Sequence, residues 1–186
     1  MTLSKNNFKN KKVNIVYEGK FIRFVKLAEW EFVERVNCTA IVIIVAMTHD
    51  YKVVLTEQYR PPVKRKVIEF PAGLVNDEAE KESIFAAAKR ELFEETGYEA
   101  KRMIKLITGP VSSGFTSDRV TILKAVDIKK AGPGGGDMLE NITVYEIPLA
   151  QVESWLVQMQ KKGRLVDPKI YAGLYFLNKS RKVKNC

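Results

Sequence analysis

The chain reads as an α/β protein. Three observations predict this. Runs of β-branched and other apolar residues lie between turn signals, most plainly from Cys38 to Ala46. Three later segments space their apolar residues as helices do. Near the N-terminus, apolar and polar residues alternate with the two-residue period of strands that have one wet face. The length, 186 residues, suits one domain with a short accessory segment. Hydrophobic residues make up 46% and charged residues 28%, which excludes a disordered chain.

Taken in order, Val13, Ile15 and Tyr17 alternate with other residues, and Glu18-Gly19-Lys20 reads as a hairpin turn. Phe21 to Leu27 is mostly apolar, with Arg23 and Lys26 interspersed, and Trp30 and Phe32 alternate with Glu29 and Glu31. Cys38 to Ala46 is nearly all apolar, the mark of a strand buried on both faces. Lys52 to Tyr59 is the next strand, with His49 and Asp50 in the turn before it. Pro61 and Pro62 stop pairing, and Val67 to Phe70 is a short extended stretch ended by Pro71. Ser83 to Glu95 places Ile84, Ala87, Ala88 and Leu92 at helical spacing, and Gly97 reads as the helix C-cap. Met103 to Ile107, Thr121 to Val126 and Ile142 to Ile147 are predicted strands. Lys129 to Asp137 (KKAGPGGGD) is predicted to be a flexible loop. Gln151 to Lys161 and Pro168 to Asn178 are predicted helices.

The ten-residue apolar run at Cys38 to Met47 is too short to span a bilayer, and no apolar run backs the basic N-terminal stretch as a secretory leader requires. Two cysteines, Cys38 and Cys186, make neither a disulfide framework nor a zinc site. The expectation is a soluble, reduced, cytoplasmic protein. Lys and Arg number 31 against 22 acids, for a net charge of +9, which suits an anionic partner. The basic residues are spread out, with clusters only near the termini (Lys9, Lys11, Lys12; Lys179, Arg181, Lys182, Lys184). That spread argues against a nucleic-acid footprint, which concentrates charge on one face.

Within the helix at 83–95, Glu91, Glu94 and Glu95 stand at i, i+3 and i+4 and share a face. Carboxylates so close repel unless cations neutralise them, and hard oxygen ligands at this density suit Mg²⁺ or Mn²⁺. Arg90, four residues before Glu94, is placed to orient a carboxylate. Taken alone, the three glutamates also fit a solvated acidic face.

The order of residues goes further. Arg90-Glu91-Leu92-Phe93-Glu94-Glu95-Thr96-Gly97-Tyr98 fits R-E-U-x-E-E-x-G-U, with U a bulky apolar residue, and Gly73 opens the segment. This resembles the Nudix box, G-x5-E-x7-R-E-U-x-E-E-x-G-U. Seven residues separate Glu82 from Arg90, as the pattern asks, but eight rather than five separate Gly73 from Glu82. Glu82 is therefore the first box glutamate with a three-residue insertion before it, and Glu78 and Glu80 are its alternatives.

The resemblance implies Glu91 and Glu95 as direct ligands of Mg²⁺ or Mn²⁺. Glu94 would complete the site, and the backbone carbonyl of Ala72 would join it. It also implies an α/β/α sandwich around a mixed sheet. Residues 1–35 would form a small antiparallel segment that exchanges between subunits of a homodimer, and residues 36–186 the hydrolase domain. Glu57 to Val63 (EQYRPPV), Ile68 to Leu74 (IEFPAGL), Ser112 to Asp118 (SSGFTSD) and Asp167 to Leu174 (DPKIYAGL) resemble the ADP-ribose and nucleoside-diphosphate-sugar pyrophosphatase branch. Arg60 offers a planar fork for a diphosphate, or else a surface ion pair. Trp30 stands where this branch stacks adenine, or else packs against protein. Glu69 binds substrate or pairs with an arginine, and Phe115 contacts substrate or is structural. By the same resemblance the catalytic base is a glutamate on a loop before a late strand, which points to Glu140, with Asp137 as fallback. The glycines at 132 and 134–136 would let that loop close over substrate.

The expected activity is Mg²⁺-dependent cleavage of ADP-ribose or a related nucleoside diphosphate sugar into a nucleoside monophosphate and a sugar phosphate. One alternative is a Nudix hydrolase of RNA 5′-ends or nucleoside triphosphates. The other is a nucleotide-binding regulator without catalysis.

Overall fold

The computed structural model describes residues 11–75, 82–136 and 141–182. Glu78, Glu80, Asp137 and Glu140 lie outside the described residues. Three strands, β1 (Asn14–Glu18), β2 (Ile22–Leu27) and β3 (Trp30–Arg35), form an antiparallel meander. The hairpin predicted at Gly19 is present, with the Gly19 amide donating to the Ile22 carbonyl. This sheet leaves Ile15, Tyr17, Phe21, Ile22 and Trp30 exposed.

The main sheet contains β4 (Ala40–Met47), β5 (Lys52–Arg60), β6 (Arg65–Glu69), β7 (Ala72–Val75), β8 (Tyr98–Pro110), β9 (Arg119–Lys130), β10 (Thr143–Pro148) and β11 (Leu165–Val166). Its order is β11-β6-β5-β4-β9-β8, with β10 on β5 and β7 on β4. The pairs β4–β9 and β6–β11 are parallel and the rest antiparallel, so the sheet is mixed. On one edge of β4, the first half pairs β7 and the last residues pair β5.

Three helices cover the two faces: α1 (Ile84–Thr96), α2 (Val152–Lys161) and α3 (Lys169–Lys182). Because side chains alternate along a strand, β4 supplies both layers. Val42, Ile44 and Ala46 pack with Ala87, Ala88 and Leu92 of α1. Ile43 and Val45 pack with Leu156 of α2 and Ile170 and Leu174 of α3. This is the α/β/α sandwich with a mixed sheet and a small antiparallel sheet. Among the described residues no helix is long and apolar enough to cross a membrane.

Three predicted elements are corrected, and one strand is added. Val67 to Phe70 is the end of a longer strand, Arg65–Glu69, and Met103 to Ile107 is the middle of Tyr98–Pro110. Ala72–Val75, after Pro71, is a strand because it pairs β4 residue for residue, from Ala40 with Val75 to Ile43 with Ala72. The stretch 129–136 is not free. β9 continues through Lys130, and residues 131–136 lie along the end of α1.

Candidate active site

The box helix is fixed at both ends. Ser83, in extended conformation, accepts the Ala86 amide on its Oγ at 3.2 Å. Gly97 adopts φ +70° and donates its amide to the Phe93 carbonyl at 2.7 Å. Glu82 therefore precedes the helix, just before its N-cap.

The carboxylates gather around Arg90 and the backbone at 72–73. Arg90 donates to Glu91 at 2.9 Å, to Glu94 at 3.0 Å, to Glu82 at 3.2 Å and to the Leu74 carbonyl at 3.3 Å. Burial lowers the basicity of this guanidinium, but hydrogen bonds and charges from the three glutamates raise it above its ordinary value. Glu91 lies against Gly73 so closely that a Cβ there would stand 1.9 Å from the Glu91 Cδ. Glu95 is buried, and its Oε2 accepts the Ala72 amide at 3.3 Å. Glu91 and Glu95 thus meet adjoining backbone units at the start of β7, while half-exposed Glu94 turns to Arg90.

A hard divalent cation takes oxygen donors. Two carboxylates on one stretch of backbone supply oxygen donors of the right kind. Among the described residues no three acidic, His or Cys side chains are grouped so as to hold a metal ion by themselves.

A cavity of about 490 Å³ opens beside this site, lined by Gly73, Glu91, Arg60, Glu69, Arg35 and Lys169 among others. Arg60 donates to Glu69 at 2.8 Å, which is the ion pair weighed for both residues, and both line the cavity. Trp30 and Phe115 are not brought there. Trp30 lines a separate, mostly apolar hollow of about 400 Å³ with Leu27, Phe32, Ser113 and Gly114. Phe115 exposes its ring, and its backbone carbonyl accepts the Val33 amide at 2.9 Å.

Three charged lining residues were not singled out from the sequence. Asp118 and Lys169 fall inside the segments 112–118 and 167–174, and Arg35 closes β3. Arg35 pairs with Asp118 at 3.2 Å and Lys169 with Asp167. The segments carried a signal; the individual residues gained meaning only from the cavity.

Residues 37–160 match the NUDIX domain. The chain belongs to the Nudix family. It is a hydrolase of that family, and other members resemble it along most of their length. It is 32% identical over 145 residues to a methanol dehydrogenase activator of Bacillus methanolicus, covering 77% of this chain and 75% of that one. It is 30% identical over 184 residues to an ADP-sugar pyrophosphatase of Mus musculus, covering 85% and 82%. A solved structure described as an ADP compounds hydrolase superposes with a TM-score of 0.69 over 93% of both chains. At 20% identity that likeness concerns the fold alone.

Proposed function

We propose that this Nudix hydrolase cleaves ADP-ribose or a related nucleoside diphosphate sugar with the help of Mg²⁺. Water adds to one phosphorus, the bridging P–O bond breaks, and a nucleoside monophosphate and a sugar phosphate leave. The observation that carries the reading is the meeting of Glu91 and Glu95 at residues 72–73, on the wall of a cavity that also presents Arg60. Glu91, Glu95 and the Ala72 carbonyl would hold the metal, which when bound neutralises charge developing on the phosphoryl oxygens. Arg90 fixes Glu91 and Glu94 and keeps their charges compatible. Arg60 and Lys169 meet the anionic diphosphate, with Glu69 holding the Arg60 fork in plane. Glu140 is the proposed base that takes the proton of the attacking water, with Asp137 in reserve. Trp30 and Phe115 would serve the nucleoside end outside the metal cavity.

A second copy of the chain is the proposed cover for the sheet at 14–35, since Ile15, Tyr17, Ile22 and Trp30 leave its apolar surface exposed. The cytoplasm is the proposed location. The intact set of Glu91, Glu94, Glu95 and Arg90 favours catalysis over a regulator that only binds nucleotide.

Product release from ADP-ribose, other nucleoside diphosphate sugars, nucleoside triphosphates and 5′-triphosphate RNA tests the reading, run with Mg²⁺ and with chelator. Metal-dependent cleavage of diphosphate sugars is expected. Preference for triphosphates or RNA would overturn the substrate class, and absence of any cleavage would overturn the enzyme.

A further inference from the structure

The last turn of α1 carries two of the box glutamates, and a helix end is where a helix frays. Its last four carbonyls have no partner inside the helix. Here all four are taken. Phe93 accepts from Gly97 at 2.7 Å, Glu94 from the Gly136 amide at 3.0 Å, and Glu95 from the Gly135 amide at 2.8 Å. Thr96 accepts from Lys130 Nζ at 2.7 Å. The carbonyl of the cap residue, Gly97, accepts from the amides of both Ala131 and Gly132, at 2.8 and 3.0 Å. Residues 130–136 therefore satisfy every terminal carbonyl except that of Phe93.

The fit depends on missing side chains. A Cβ on Gly134, whose φ is +69°, would stand 2.4 Å from the Thr96 carbonyl carbon and 2.7 Å from the Gly97 nitrogen. Both are backbone atoms and cannot turn aside. A Cβ on Gly97 would stand 2.1 Å from the Gly132 oxygen.

We infer that the segment Lys130–Gly136 is a clamp that holds the last turn of α1 in register with residues 72–73, which makes Gly134 and Lys130 positioning residues for the metal-binding carboxylates. The inference rests on the proposed reading of Glu91 and Glu95 as metal ligands. Partners that orient ligands without touching the metal are typically worth 10–100-fold in affinity. The clamp acts through the backbone of Glu94 and Glu95, so its loss shows as weaker metal binding even without substrate.

The test is a Mn²⁺ titration of the full chain by calorimetry, with thermal unfolding recorded alongside. Gly134→Ala is expected to weaken Mn²⁺ binding about tenfold. Lys130→Met removes one hydrogen bond without straining the backbone and is expected to weaken it about fivefold. Gly163→Ala is the control, because Gly163 also has positive φ (+81°) but has open space around it. It shares the strain and is expected to leave Mn²⁺ affinity unchanged. If Gly134→Ala does not fold, Lys130→Met decides. Normal Mn²⁺ affinity in the folded clamp variants would overturn the clamp alone, as would an equal loss in Gly163→Ala. Failure of the unaltered chain to bind Mn²⁺ would overturn the ligand reading and the clamp's role together.

Discussion

Gly73→Ala separates stability from activity. The new methyl group would stand 1.9 Å from the Glu91 Cδ and 2.1 Å from its Oε1. Those atoms belong to a side chain that can swing away, so the backbone is not forced to move. The stability terms are small and opposed. Swinging Glu91 out loses its ion pair with Arg90, a partly exposed pair worth up to about 1 kcal/mol. Replacing glycine by alanine returns about 0.4–1 kcal/mol through the unfolded chain. The balance lies within about 1 kcal/mol, or about 2–4 °C in Tm for a chain this size. Activity has no such compensation. A displaced metal-binding carboxylate is expected to lower kcat/KM by at least about 100-fold, or about 2.7 kcal/mol at 1.36 kcal/mol per decade. Thermal unfolding and ADP-ribose hydrolysis across a Mg²⁺ titration check both halves. Wild-type turnover with unchanged Mg²⁺ dependence would refute the placement of Glu91. A Tm loss beyond about 10 °C would refute the claim that only a side chain must yield.

Three further expectations concern other residues. Arg90→Lys keeps the charge but loses the planar fork that reaches Glu82, Glu91, Glu94 and Leu74, so turnover should fall at least about tenfold with little change in Tm; equal kinetics would show that charge suffices. Glu140→Gln should lower turnover by about 10²–10⁴ while Mn²⁺ binding persists, and unchanged turnover would remove Glu140 as the base. Glu57 is buried, and burial pushes its carboxyl up. Hydrogen bonds from Lys66 at 2.8 Å and Arg164 at 3.1 Å outweigh that and hold it below the ordinary value. With the folded value depressed, its stabilisation is complete above about pH 4.3 and is lost as pH falls through the depressed value. Urea midpoints between pH 6 and pH 3 should fall more steeply for the unaltered chain than for Glu57→Gln, and parallel profiles would contradict this.

Much of the architecture was legible because its signals are local. The β-branched run at 40–47 needs burial on both faces, and the Ile84, Ala87, Ala88 and Leu92 spacing has only one helical reading. The box helix was legible because its glutamates, arginine and glycine stand in a fixed order. Ala72–Val75 was not, since it follows Pro71 and contains Gly73. Only pairing with β4 makes it a strand. Residues 131–136 misled for a related reason. Glycine declares freedom, and what removes that freedom here is the end of a helix some forty residues away in sequence. Trp30 and Phe115 were read from resemblance as substrate contacts or structural residues; Trp30 lines a hollow apart from the cavity beside Glu91, and Phe115 points its ring to solvent.

Arg90 has a consequence for how this chain tolerates changes in length. Its guanidinium touches the Leu74 carbonyl on one side and Glu82 on the other, which are the two ends of the segment from 75 to 81. One side chain thus stitches the segment closed at its base. Residues added between those stitches raise the entropic cost of closing the chain between them. Going from the four residues that the usual box spacing leaves between these points to seven costs about 0.5 kcal/mol by the logarithmic law. Insertion here is nearly free, whereas one residue added to β4 would exchange the sets of side chains facing its two helix layers. Residues added between Val75 and Glu82 are accordingly expected to leave the carboxylates where they are, since Arg90 holds both flanks.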